Sequence, residues 1–78
     1  MHALLLAFRL SDAEPLEDLL RELNLHDGVD ARTKDGRPDG APVVLIALDD
    51  VPETVWAVRS TVTLFDPGAV EVHPEDGR

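Results

Sequence analysis

The sequence has no cysteine and no tyrosine, and its 78 residues include only one tryptophan, two phenylalanines and one lysine. Without cysteine there are no disulfides, no thiolate nucleophile and no cysteine-based metal site. The scarcity of aromatic side chains disfavours RNA binding, because sheets that bind RNA stack bases on aromatic rings. The formal net charge of -9 opposes nucleic acid and anionic lipid, whose phosphates are bound by Lys and Arg. We therefore expect neither a nucleic-acid nor a membrane partner.

Long apolar runs are also missing. The run from Ala3 to Phe8 is shorter than the apolar core of a signal peptide and follows no basic segment. No run approaches the ~20 apolar residues that span a bilayer. These features predict a cytoplasmic protein with one domain over residues 1–74 and a polar tail over residues 75–78. A chain of this size without disulfides or metal often gains stability by oligomerising.

The first half of the chain predicts a strand, a helix and a second strand. Residues 3–10 form a short apolar run typical of a buried strand. "SDAEPLEDLLRELNL" then has one apolar face at helical spacing, and Ser11 and Glu14 have the spacing of a capping box. "VDARTK", residues 29–34, alternates between apolar or small and charged residues, as a half-exposed strand does. The apolar face of the helix consists of Leu16, Leu19, Leu20 and Leu23.

The second half predicts a buried strand, a helix and a last strand. Residues 43–48 are all apolar, which is typical of a central strand. Valines at helical spacing from Val51 predict a second helix that ends near Phe65. The β-branched stretch "STVTLF" leaves an alternative open, in which residues 61–65 are a strand of a hairpin. "AVEVH", residues 69–73, predicts the last strand.

This order predicts an α+β fold of the βαββαβ, ferredoxin-like type, a four-stranded antiparallel sheet with both helices on one face. The other face would then be uncovered. Because the central strand is apolar throughout, the open face would carry apolar side chains, which usually mark an interface. We take Val44 and Ile46 of that strand as candidate interface residues. Trp56 is a third candidate, since tryptophan is enriched at interfaces.

The stretch "RTKDGRPDGAP" is the most basic part of the chain, and it matches no phosphate-binding loop. Two Asp-Gly pairs between predicted strands favour a hairpin connection. Lys34 and Arg37 remain the candidates for contact with an anion or an acidic partner.

No group of residues joins a nucleophile, a base and an orienting side chain, so we do not expect an enzyme. The spacing of His2, His26 and His73 matches no ligand motif, and we predict neither metal nor cofactor.

The layout resembles that of ACT-type and related small ferredoxin-like regulatory domains. The second helix runs into "DPGAVEV", which looks like the "PGV"-type entry to the last strand in those domains. Their ligand loop after the first strand contains glycine, whereas residues 11–15 here contain none, so no residue role is transferred.

The sequence thus predicts a non-enzymatic interaction or regulatory module that forms a homodimer through the open sheet face or an edge strand. Two alternatives remain. One is a small-ligand-binding, ACT-like regulatory domain. The other is an acidic inhibitor or antitoxin-type protein that binds a basic surface.

Overall fold

The computed structural model describes residues 3–34 and 42–73. Its elements follow in the order β1 (Ala3–Arg9), α1 (Leu16–Asn24), β2 (Val29–Lys34), β3 (Val43–Asp49), α2 (Pro52–Phe65) and β4 (Val70–Val72). These strands form one open sheet in the spatial order β2-β3-β1-β4, and every neighbouring pair is antiparallel. The prediction of an α+β fold with a four-stranded antiparallel sheet and two helices is confirmed.

The register of the sheet places the apolar side chains of the strands in common rows. Leu6 of β1 lies opposite Ile46 of β3, which in turn lies opposite Ala31 of β2. Phe8 lies opposite Val44 in the next row on the same face, because side chains two residues apart share a face. These side chains form one core cluster with the buried residues of both helices, which are Leu19, Leu23, Val58 and Val62. Both helices therefore cover this one face.

Helix α1 has the predicted leucine face, with Leu19 and Leu23 fully buried. It begins later than the capping box predicts, and no side chain caps its first turn. Pro15 disfavours helical angles at the residue before it, and the Asp12 carboxylate accepts a hydrogen bond from the Glu14 backbone N–H at 3.1 Å. Ser11 is thus free to bind elsewhere in the fold.

Helix α2 extends to Phe65, so the helical prediction for residues 61–65 is confirmed and the hairpin alternative is wrong. The hydroxyls of Thr61 and Thr63 donate hydrogen bonds to backbone carbonyl oxygens within the helix. Thr61 donates to the Ala57 carbonyl oxygen at 2.8 Å, and Thr63 donates to that of Arg59 at 3.0 Å. This local bonding accommodates β-branched polar residues in a helix.

Strands β2 and β3 pair with Lys34 opposite Val43, as a hairpin requires. Arg37 and the tail over residues 75–78 lie outside the described residues. Neither helix of the described chain combines the length and apolar character needed to cross a membrane.

Candidate interaction surface

The face of the sheet opposite the helices is left uncovered by the described elements. We call it the open face. Along the strands, it extends from the cross-strand row of Arg9, Val43 and Lys34 to the row of Ala3 and Asp49. By register and alternation, its residues are Ala3, Leu5, Ala7, Arg9, Asp30, Arg32, Lys34, Val43, Leu45, Ala47, Asp49, Val70 and Val72.

The apolar residues of the open face lie in its central rows and along the edge strand β4. Leu5 is 49% exposed and Val70 is 50% exposed, while Leu45 and Val72 are half-buried. Ala7 lies between these side chains and is almost fully covered. These apolar residues thus form one group on the open face rather than scattered exposed positions.

The charges of the open face are separated along the strands. Arg9, Arg32 and Lys34 lie toward one end, which we call the basic end. Asp30 and Asp49 lie toward the other, the acidic end. Strands rise about 3.3 Å per residue, so the six residues from Arg9 to Ala3 place the outermost rows about 20 Å apart.

Two cations at the basic end have no carboxylate partner within the described residues. Arg32 donates to the Asp30 carboxylate at 2.9 Å. Arg9 and Lys34 form no ion pair with the described part of the chain, although they flank Val43 in one row. Within the described residues, no carboxylate therefore neutralises these two charges.

The rest of the described surface, which we call the helix side, differs in charge from the open face. Away from the open face, the described residues carry ten carboxylates and only two arginines, Arg21 and Arg59. The open face is thus close to neutral, and the rest of the described chain holds nearly all the excess negative charge. The ten carboxylates are those of Asp12, Glu14, Glu17, Asp18, Glu22, Asp27, Asp50, Glu53, Asp66 and Glu71.

The structure places the predicted site residues on different surfaces. Lys34 lies on the open face, as a candidate contact residue should. Val44 and Ile46 lie beneath the helices and are 0% exposed, so their selection as interface residues is corrected. Alternation along β3 instead presents Val43 and Leu45 to the open face. An unbroken apolar run gives no sign of which alternate residues face the helices.

Arg9 is a candidate contact residue that sequence reasoning missed. It sits in β1, 25 positions before Lys34, and only the pairing of both strands with β3 brings the two into one row. The alternation of Phe8 and Leu10 with Arg9 was the available signal, because it places Arg9 on the face opposite the core.

Trp56 marks a second, smaller surface on α2. Its side chain is 72% exposed, and Leu64, two turns further along, is 80% exposed. Arg59 beside them is engaged by the carboxylate of Glu71 at 3.0 Å. The shallow depression at this place is lined by Trp56, Arg59, Ser60, Thr63, Leu64 and Pro67.

A third feature joins the loop before α1 to the loop after α2. Asp66 accepts hydrogen bonds from the Ser11 hydroxyl at 2.5 Å, the Ser11 backbone N–H at 2.6 Å and the Gly68 backbone N–H at 3.0 Å. The Ser11 hydroxyl bond, together with the backbone bonds, lowers the pKa of Asp66 below its ordinary value, against burial, which raises it. A carboxylate with a lowered pKa and occupied oxygens is a poor base, so the arrangement suits an anchor rather than a catalytic pair.

Gly68 packs closely against Ser11 at this junction. A Cβ at this position would lie 3.0 Å from both Cβ and Oγ of Ser11. The "DPG" stretch that carries the resemblance to ACT-type domains therefore has a structural use in this chain. Asp66 of this stretch accepts the hydrogen bonds from Ser11, and Gly68 donates a further one to Asp66.

Within residues 3–34 and 42–73, no cluster of three or more His, Asp or Glu side chains has the geometry to hold a metal ion. Comparison of the chain with protein-family models, with curated proteins and with solved structures gave no match.

Proposed function

We propose that this protein is a non-enzymatic interaction module that forms a homodimer through the open face of its sheet. The observation that carries the proposal is the composition of that face, with an apolar centre around Leu5 and Leu45 between a basic and an acidic end. Burial of apolar surface supplies the main driving force of association. A face that carries both charges avoids the repulsion that the acidic helix side would impose on a second copy.

We also infer that the fold is of the ferredoxin-like, split βαβ type. The support is the chain order of the elements together with the antiparallel placement of β1 between β3 and β4. Folds of this type leave one sheet face free for partners or ligands, and the fold alone does not select a function.

The mass of the protein in solution tests the proposed function. We expect light scattering after gel filtration to give twice the mass of an 8.5 kDa chain at micromolar concentration. Leu45→Glu, which places a charge in the centre of the open face, should produce monomers. Leu64→Glu on α2 is the matched control, with the same substitution at an exposed site outside the open face, and it should stay dimeric. A wild-type protein that is monomeric at these concentrations would refute the proposal.

The uneven charge favours a second candidate, an acidic protein that binds a basic surface. Trp56 and Leu64 would supply the apolar contact and the helix-side carboxylates the electrostatic attraction. The test is binding to an immobilised Lys- and Leu-rich amphipathic peptide, with a Glu- and Leu-rich peptide as control. Binding to the basic peptide alone, weakened by salt and by Trp56→Ala, would support this candidate. Equal binding to both peptides would eliminate it.

A further inference from the structure

We propose that the two copies pack face to face about a two-fold axis that lies between the sheets and runs across the strands. This inference rests on the proposed function, since it names the arrangement in which the open face meets its own copy. A two-fold interface is self-complementary, so each residue must find its counterpart on the same surface. The charges and the side-chain sizes of the open face both select this axis.

The axis across the strands reverses the strand direction between the copies while leaving each strand over its own counterpart. The basic end of one open face then meets the acidic end of the other. Aligned sheets pack about 10 Å apart with their strands within about 30° of each other, which preserves this correspondence near the centre.

Under this operation, the row at the basic end meets the row at the acidic end. The partner's Asp49 is brought over Val43, the residue that lies between Arg9 and Lys34. These two cations have no ion pair within the described chain, and the Asp49 carboxylate likewise has no hydrogen bond there. The arrangement therefore joins three charges that have no partner within the described residues of one chain.

The two central rows show size complementarity under the same operation. Ala7 of one copy meets the partner's Leu5, and Leu45 meets the partner's Ala47. A small residue faces a large one at both positions, as interdigitating sheets require. Between the β2 strands, Arg32 meets the partner's Asp30, which extends the pair these residues already form within one chain.

The other simple two-fold axis, parallel to the strands, is disfavoured. It would place the basic end over the partner's basic end, so that Arg9 and Lys34 lie near the cations of the same row in the partner. Like charges brought together at an interface reduce affinity. The two arrangements therefore predict opposite effects on affinity when the charges of Arg9, Lys34 and Asp49 are changed.

Charge-reversal variants distinguish the two arrangements of the dimer. We would measure the dimer dissociation constant by sedimentation equilibrium at low salt for Asp49→Lys, for Arg9→Glu with Lys34→Glu, and for all three changes together. Either reversal alone should weaken the dimer at least about tenfold, and the triple variant should recover most of the wild-type affinity. Asp49→Lys is informative because it makes the net charge of the protein less negative. By itself, that change would favour association. Circular dichroism checks that each variant is folded.

Arg21→Glu is the control for overall charge, since Arg21 is exposed on α1 and lies outside the open face. It should change affinity much less than the reversals at Arg9 and Lys34. Neutral substitutions, Arg9→Gln with Lys34→Gln, give an independent measurement with little risk to folding, and the proposed axis predicts weaker association.

The outcomes distinguish the axis from the proposed function. A dimer that is tightened by the Gln substitutions, or that is unaffected by all reversals, would overturn this axis while leaving a sheet-mediated homodimer intact. A wild-type protein that never dimerises would overturn both. Recovery of affinity in the triple variant supports both.

Discussion

Ser11 and Asp66 are 55 positions apart in the chain, yet both oxygens of the Asp66 carboxylate accept hydrogen bonds from Ser11. The hydroxyl donates to one oxygen and the backbone N–H to the other. This contact fixes the end of α2 against the start of the segment that leads to α1. It connects the segments beside the two helix ends, next to Leu16 and Phe65, which pack against the core, so it helps to hold both helices against the sheet.

Replacing Asp66 with Asn should make the protein less stable and change its response to acid. The folded protein lowers the pKa of Asp66, so its ionised form stabilises the fold above the unfolded pKa of about 3.9. That stabilisation is lost as the pH falls through the lower folded pKa. We expect thermal unfolding measured between pH 2 and pH 7 to show a steeper acid decline for the wild type than for Asp66→Asn.

Two controls accompany the measurement at Asp66. Ser11→Ala removes the hydroxyl donor and should reproduce part of the effect, since the backbone N–H of Ser11 still donates. Asp18→Asn removes an exposed carboxylate on α1 that forms no hydrogen bond within the described residues, and it is the control for the loss of one negative charge. Parallel acid profiles for the wild type and Asp66→Asn would contradict the proposed role of the carboxylate.

Gly68→Ala tests the close packing at the same junction. The new methyl group would lie 3.0 Å from two atoms of Ser11, so Ser11 or the loop must move. Steric overpacking of this kind costs about 1–3 kcal/mol in the free energy of unfolding, which urea denaturation can measure. Pro67→Ala at the exposed neighbouring position is the control. Equal stability of Gly68→Ala and the wild type would show that the loop adapts without loss of the Ser11 contact.

Asn24 forms a comparable junction between α1 and the edge strand β2. Its side chain donates to the Ala31 carbonyl oxygen at 3.0 Å and accepts from the Ala31 backbone N–H at 2.8 Å. Asn24→Ala should lower the free energy of unfolding by about 1–3 kcal/mol because both backbone groups lose their partner. Asn24→Asp keeps the acceptor and should cost less. Hydrogen exchange at the Ala31 amide should accelerate most in Asn24→Ala, and unchanged exchange would contradict this role.

The features of the fold that sequence could predict are those with a local period. The leucines of α1 and the valines of α2 repeat at helical spacing, and both helices formed even where β-branched residues favoured a strand. The start of α1 could not be predicted in the same way. Ser11 has the spacing of a cap, but its hydroxyl and backbone N–H donate instead to the carboxylate of Asp66. The two residues are 55 positions apart, so no local sequence pattern could predict this contact.

For the candidate surface too, some features could be predicted from the sequence and others could not. That one sheet face is free followed from the number and order of the elements, and Lys34 was found from its charge. The row of Arg9, Val43 and Lys34 depends on strand register, which is decided by pairing across the whole sheet. Val44 and Val43 have identical side chains, so composition alone could not assign one to the core and the other to the open face.

The two faces of β3 give the next prediction. Ile46 is fully buried, and Ile46→Ala should cost about 2–5 kcal/mol, a large share of the stability of a domain this small. Leu45→Ala, at the neighbouring position on the open face, should cost the monomer about 1 kcal/mol or less. Urea denaturation at low protein concentration separates folding from association. A greater loss for Leu45→Ala than for Ile46→Ala would mean that the two faces are assigned the wrong way round.

Trp56 provides an intrinsic report on which surface the dimer uses. It is the only tryptophan and is 72% exposed on α2, away from the open face. We therefore expect the folded protein to emit at a wavelength typical of hydrated indole and to be quenched readily by acrylamide. Dimerisation through the open face leaves Trp56 in water, so dilution from dimer to monomer should change neither property. Association through α2 would bury the indole in the dimer, and dilution would then shift the emission to longer wavelength and increase quenching. The monomeric variant Leu45→Glu gives the reference spectrum, and agreement between its quenching constant and that of the wild-type dimer would place the contact on the sheet.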